Sequence, residues 1–378
     1  MNKIKLARIT TIPLSLEVLL KGQLKYLSQY YDVLAVSSPG DKLEIVKERE
    51  GVKVSVVKME REISLFKDII SLWKLFRLFK LERPNIVHSN TPKSSLLSMV
   101  AAYLSGVPFR IYTVTGLRFE TEEGIKKSIL IAMERLTCFF STHVVAESLG
   151  VQMMIAEYKL SNKSSYIIGN GNINGLDEEY WNPYLPQFLN NTALIKELGL
   201  SPDHFIFIFV GRLVGDKGVN ELIKAFSGLN NDKFKLLLLG ETEQKLDALE
   251  QGVVDEIFNN KNILPLGFQA DIRPYLAISH SLVLPSYREG FPNVILQAAA
   301  MRLPCIVTDV HGAAEVIDKR NGIVIKKRDI NSLALALNNM YVSYEEFDKD
   351  YCRNKVVNAY SQTFYFPQLV SFYNGLSN

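Results

Sequence analysis

The chain of 378 residues is poor in cysteine, has no long apolar run and contains no repeat. Its three cysteines, Cys138, Cys305 and Cys352, are far apart and odd in number, which excludes a disulfide framework and a zinc cluster and points to a reducing compartment. No stretch approaches the roughly 20 apolar residues that cross a bilayer. The amino-terminal LARITTIPLSLEVLL carries Glu17 inside its apolar part and lacks a small-residue cleavage site, so it reads as a first strand and helix rather than an export signal. With no low-complexity tract and no tandem period, disordered and solenoid classes drop out. His88, His143, His204, His280 and His311 show no ligand spacing. The Asp-x-Asp at Asp348-Lys349-Asp350 falls in a charged helical segment remote from any strand end. The sequence therefore predicts neither a catalytic metal ion nor a cofactor. GNGNING at 169–175 is not G-x-G-x-x-G and leads into no crossover helix, so a dinucleotide site is not expected either.

What the chain does have is the composition of a soluble globular protein, 47% apolar and 22% charged, at a length that calls for two cores. The net charge of +3 is unevenly spread. Residues 1–180 hold 24 Lys and Arg against 19 Asp and Glu, whereas 181–378 hold 19 against 21. A mildly basic first half suits an anionic surface or substrate, although ordinary charge scatter gives the same pattern. Nothing in the pattern points to nucleic acid.

FIFIFVG (205–211), FKLLLLG (234–240), NILPLG (262–267), SLVLPS (281–286) and PCIVTD (304–309) are strands too apolar to have a wet face. Such runs belong to a parallel sheet covered by helices on both sides. VNELIKAFSGL, the charged stretch 242–258, DIRPYLAIS and PNVILQAAAM supply the crossovers. The first half repeats the pattern with IKLARIT, DVLAVSS, VKVSVV, NIVHSN, RIYTVTG and THVVAES. The fold class is α/β, two Rossmann-like doubly wound domains facing each other across a cleft. Residues 1–172 form the first domain, 173–202 a junction rich in Gly, Asn and Pro, and 203–355 the second domain. The aromatic tail 356–378 is expected to pack back across the junction.

In an open parallel sheet, ligands bind beyond the carboxyl ends of the strands. Three polar clusters of the second half fall there: GRLVGDKG (211–218), YREGFPN (287–293) and DVHGAAE (309–315). Arg212 and Lys217 beside free helix amino termini make a site for a diphosphate. An Arg and a Lys five apart in a loop are otherwise ordinary solvated residues. Glu289 suits either the helix dipole behind it or a set of sugar hydroxyls, and the amides after Gly290 suit phosphate. Asn293 and Gln297, four apart, share a helical face, so Gln297 points where a ligand held by this loop would extend.

GRLVGDKGVNELIKAF followed by SYREGFPNVILQAAAMRLPCIVTDVHGAAEVI resembles the family-four retaining glycosyltransferases of GT-B fold, in particular their bacterial capsule and O-antigen branch. IVHSNTPKSSLL resembles the family's His-x-His-x-x-Lys segment, with Asn90 at the second His. YTVTGLRFE and GNGNINGLD resemble its acceptor-side and interdomain loops. The resemblance covers essentially the whole chain. It implies that Arg212 and Lys217 contact the donor diphosphate and Glu289 the donor sugar. The backbone of Gly290, Phe291, Pro292 and Asn293 would line the donor together with Gly211, and His88, Thr115 and Gly116 would face the acceptor. Three departures stand out. Gln297 replaces the second Glu of the family's Glu-x7-Glu, Thr115 stands where many relatives carry a histidine, and TTIPLSLEVL lacks the glycine pair of the first loop. An amide can still accept one ribose bond and donate another.

The resemblance further implies transfer of a sugar from a nucleotide diphosphate, most simply a UDP-sugar, to a lipid-linked saccharide in capsule or O-antigen synthesis. The usual mechanism is a front-side attack in which the leaving diphosphate helps deprotonate the acceptor, so the protein supplies position and charge. A UDP-sugar 2-epimerase and a sugar-binding protein without catalysis are the alternative readings. SLFKDIISLWKLFRLFK (64–80) is amphipathic, with Lys67, Lys74 and Arg77 on one side. It fits either core packing or contact with the inner face of the cell membrane from the cytoplasm.

Overall fold

The computed structural model describes residues 3–60, 64–243 and 247–376. The chain forms two compact units, 1–175 with 362–378 and 176–361. The break at 175 lies three residues beyond the boundary read from the sequence. Residues 176–202 are not a bare linker: Leu176, Phe188 and Leu200 are buried in the second core.

The first unit holds a seven-stranded parallel sheet of β1 (Lys5–Ile9), β2 (Asp32–Ser37), β3 (Lys53–Val56), β4 (Ile86–Ser89), β5 (Phe109–Val114), β6 (His143–Ala146) and β7 (Ser165–Tyr166), in the order 3-2-1-4-5-6-7. The central strands are buried on both faces because helices cover both, which is why they read as unbroken apolar runs. One layer consists of helices 65–82, 92–105 and 124–140, side by side. On the opposite face the aromatic tail forms helix 362–375, whose Tyr365, Phe366, Leu369 and Tyr373 join Leu6, Leu24, Ile86 and Ile111 in one cluster.

The second unit repeats the plan with β8 (Phe205–Val210), β9 (Phe234–Leu239), β10 (Ile263–Gly267), β11 (Ser281–Leu284), β12 (Cys305–Thr308) and β13 (Gly322–Ile325), all parallel, in the order 10-9-8-11-12-13. Both sheets thus follow the doubly wound order 3-2-1-4-5-6, with switch points between β1 and β4 and between β8 and β11. The sequence reading lacked β7 and β13, short edge strands of two and four residues. It also extended one crossover helix too far. That helix covers Gln251–Asn259, part of 242–250 lies outside the described residues, and Asp247 instead turns back toward the β8 loop.

Candidate functional site

In the second unit the β8/β11 switch point is bounded by loop 211–218 and loop 285–292. Four contacts join them. Lys217 Nζ lies 2.6 Å from Glu289 Oε1, and Arg288 Nη2 lies 3.0 Å from Asp216 Oδ2. The Tyr287 amide donates to the Asp216 carbonyl at 2.8 Å. Gly218, with φ of +68°, presses its bare Cα against the Pro285 carbonyl. The Lys217 and Glu289 side chains are only 21% and 12% exposed, so this charged pair is held in a largely dehydrated position. Low local dielectric strengthens any charge-charge contact made there. The sequence assigned Lys217 and Glu289 separately, one to phosphate and one to sugar; the fold makes them partners.

Arg212 is 55% exposed and reaches Glu243, four residues beyond β9. Helix 293–300 begins one residue after Pro292, which takes the N-cap position rather than the first turn, and no side chain caps it. Phe291 is buried and packs, with rings tilted, 5.2 Å from Tyr360, which anchors the loop. Gln297 is half-buried on the same face as Asn293. Gly312, at the end of the β12 loop, abuts the Gly290 carbonyl, so the third cluster supports the second rather than standing apart. Gly211 follows β8 directly, its amide bonded to the Leu239 carbonyl.

Sequence reasoning missed several supports of this site. Asp216 had a visible signal, its place beside Lys217 in GDKG. Asp247 had none, because it lies in an irregular charged segment; its carboxylate and carbonyl take the amides of Asp216 and Gly215. Glu221 accepts from the Tyr287 hydroxyl while Arg328 covers the Tyr287 ring at 4.5 Å, which fixes the residue just before Arg288. The Asp348-Lys349-Asp350 stretch is structural: Asp348 caps helix 349–360 and pairs with Arg320, and Asp350 pairs with Arg302. Among the described residues no group of three or more His, Cys, Asp or Glu is placed to hold a metal ion.

In the first unit the candidates scatter. His88 is 2% exposed inside the sheet, with Nδ1 2.6 Å from the Tyr373 hydroxyl and Nε2 2.6 Å from Thr113 Oγ1. Burial, with Arg8 beside it, pushes its pKa well down, so the ring is a neutral tie between sheet and helix 362–375. Thr115 donates to the Asn90 carbonyl at 2.7 Å, and Gly116 follows with φ of +78°. The Asn90 amide is buried with no hydrogen-bond partner among the described residues.

A cavity of about 290 Å³ does open at the β1/β4 switch point, between Thr11–Ser15, Thr91–Leu96 and helix 124–140, with Glu134 in its lining. Burial raises the Glu134 carboxyl to about 7, partly opposed by the Tyr112 hydroxyl that donates to it at 2.7 Å. The folded pKa exceeds the ordinary 4.5, so the stability this group contributes is complete below pH 4.5 and is lost as pH rises through 7. That loss should be of order 3 kcal/mol. Glu134→Gln keeps the acceptor for Tyr112 and cannot ionise. Thermal unfolding between pH 5 and 8 should therefore fall less steeply in the variant, and equal slopes would show that Glu134 is not the group responsible.

Two family patterns match the chain. Glycosyl transferases group 1 covers residues 204–342, and glycosyl transferase 4-like covers 11–148. A capsular polysaccharide biosynthesis glycosyltransferase, CapM, of Staphylococcus aureus is 33% identical over 99% of this chain and 98% of its own length. The UDP-Gal:alpha-D-GlcNAc-diphosphoundecaprenol alpha-1,3-galactosyltransferase of Escherichia coli is 31% identical over 80% of this chain and 78% of its own. Anabaena Alr3699/HepE, solved in complex with UDP, shares the fold with a TM-score of 0.79 at 18% identity, over 99% of this chain and all of that one. The two sequence relatives are both named as transferases, neither as an epimerase nor as a binding protein. With a one-third identical relative along its whole length, the chain belongs to the group 1, type-4-like glycosyltransferases.

Proposed function

We propose that the protein is a retaining, metal-independent glycosyltransferase that moves a sugar from a UDP-sugar to a lipid-linked saccharide during assembly of a surface polysaccharide. The Lys217–Glu289 pair carries the proposal: a cation and a carboxylate, both mostly dehydrated, sit together at the carboxyl ends of β8 and β11. The Lys217 ammonium, with Arg212, balances charge that builds on the leaving diphosphate, and Glu289 orients the sugar hydroxyls. A fixed charge at the place where charge develops lowers the barrier without reorganising during the step. The E. coli relative takes UDP-Gal to a diphosphoundecaprenol acceptor, which supports both the donor and the acceptor class.

The test is direct. Purified protein is given a panel of UDP-sugars with a prenyl-diphosphate-linked saccharide, in EDTA, and the product's anomeric configuration is read by NMR. Transfer with retention is expected; no transfer with any donor, or strict dependence on added manganese, sinks the reading.

Gln297 contacts a part of the donor that does not change during reaction. Gln297→Ala should raise the donor KM about tenfold with little change in kcat, and Gln297→Glu should stay within about tenfold of the parent. Loss of kcat at saturating donor would move Gln297 to the reacting end.

In this reading the reaction runs at the cytoplasmic face of the membrane. No helix among the described residues is long and apolar enough to cross one. Helix 65–82 turns only Ser71, Leu75 and Phe79 fully inward. Leu65, Phe66 and Ile69 in its first turns are 79%, 77% and 65% exposed, and Lys67 and Lys74 are exposed among them. Apolar side chains interleaved with lysines suit an anionic bilayer. Sedimentation with phosphatidylglycerol vesicles, but not with phosphatidylcholine vesicles, is expected, and Phe66→Ser with Ile69→Ser should abolish it. Equal sedimentation of parent and variant would remove this face from the membrane.

A further inference from the structure

The cavity at the β1/β4 switch point occupies in the first sheet the place that the Lys217–Glu289 loops occupy in the second. Its lining divides by chemistry. Thr11, Thr91, Lys93 and Arg118 supply hydroxyls and two cations. Ile12, Leu96, Phe119 and Met133 form an apolar wall. Lys93 is only 10% exposed and lies 2.8 Å from Asp68 in the first turn of helix 65–82. Arg118 is exposed and makes no ion pair among the described residues, so the mouth keeps a positive charge. Glu134 does not cancel it below pH 7, where burial keeps that carboxyl largely protonated.

Two nearby helices carry exposed apolar side chains. Lys93 pairs with Asp68 of the helix that exposes Leu65, Phe66 and Ile69, and helix 124–140, which supplies Met133, exposes Ile125 and Ile129 at 80% and 50%, about two turns and one turn before it. A neutral saccharide would leave the cations unused, and a free phosphate would leave the wall unused. A phosphate that carries a hydrocarbon chain uses both, with the chain leaving over the rim.

We propose that this cavity seats the phosphate–prenyl junction of the lipid-linked acceptor, with Arg118 and Lys93 on the diphosphate and Ile12, Leu96, Phe119 and Met133 along the first isoprene units. The proposal rests on the lipid-linked acceptor reading above and adds the residues that recognise its lipid end. Two sources of such chemistry exist, a prenyl diphosphate and a membrane phospholipid, and the cavity is assigned to the first because its lining holds two cationic side chains, Arg118 and the Asp68-paired Lys93.

The probe is farnesyl diphosphate, titrated calorimetrically into the full chain, with inorganic diphosphate, farnesol and a short-chain phosphatidylglycerol as separate arms. Farnesyl diphosphate should bind at least tenfold more tightly than any of the three. Arg118→Ala should weaken it roughly tenfold to a hundredfold, as loss of a charge-assisted contact does, and Met133→Trp should block it by filling the wall. Both variants should keep the parent's circular dichroism spectrum and thermal midpoint, which shows that they are folded. Phosphatidylglycerol binding as tightly as farnesyl diphosphate, or unchanged affinity in both variants, overturns the proposal. The two readings fail separately. Binding that depends on Arg118 in a protein that transfers no sugar leaves the cavity assignment standing without the transferase reading. Transfer with an acceptor KM unchanged by Arg118→Ala leaves the transferase reading standing without the cavity.

Discussion

Glu289→Ala is expected to lower kcat by about two orders of magnitude, some 3 kcal/mol of transition-state stabilisation, while the donor KM changes far less. Two losses combine. The sugar hydroxyls near the reacting carbon lose an acceptor, and the Lys217 ammonium, 2.6 Å away and only 21% exposed, loses the carboxylate that fixes it. Removing one member of a dehydrated pair strands the other. Lys217→Ala should therefore resemble Glu289→Ala, and the double variant should be little worse than either, because each single change already dismantles the pair. Glu289→Gln separates the two losses: it keeps hydrogen bonds to the sugar and drops the charge, so its kcat should fall between those of parent and alanine variant. Single-turnover rates at saturating donor are the measurement. Additive losses in the double variant would mean that Lys217 and Glu289 act on different parts of the donor and that their contact is incidental.

The fold was largely legible because parallel strands buried on both faces write themselves as unbroken apolar runs, and FIFIFV and FKLLLL leave no other choice. β7 and β13 were not, since edge strands this short bury too little to leave a pattern. At the site, sequence placed Arg212, Lys217 and Glu289 at strand ends, which topology alone dictates. It could not pair Lys217 with Glu289 or Arg288 with Asp216, because contacts 72 residues apart depend on the order of strands in the sheet. His88 marks the limit from the other side. A histidine near a strand end beside a polar loop suggests chemistry as readily as packing, and only the fold sets its ring against helix 362–375, where the Tyr373 hydroxyl, 285 residues away, meets one of its nitrogens.

Gly312→Ala should be as damaging as any change in the site, although the residue carries no side chain and touches no substrate. Its φ of +73° is a conformation that alanine adopts only at a cost of about 1 kcal/mol or more. The larger penalty is steric: a Cβ there would fall on the Gly290 carbonyl oxygen, far inside van der Waals contact, and would also crowd the Phe291 Cα. Neither neighbour is the loose end of a side chain, so the loop 285–292 itself must move. That movement shifts Glu289 and the start of helix 293–300 together, and a displacement of about 1 Å at a catalytic group costs on the order of 100-fold in rate. The expected result is a kcat lower by at least that factor and a thermal midpoint lower by roughly 5–10 °C, for a destabilisation of about 3 kcal/mol in a unit of this size. Gly252→Ala is the control: it lies in helix 251–259 with nothing within 4 Å of an added methyl group, and should be neutral or slightly stabilising. If Gly312→Ala keeps parental turnover, the β12 loop does not brace the Gly290 turn, and the site consists of the β8 and β11 loops alone.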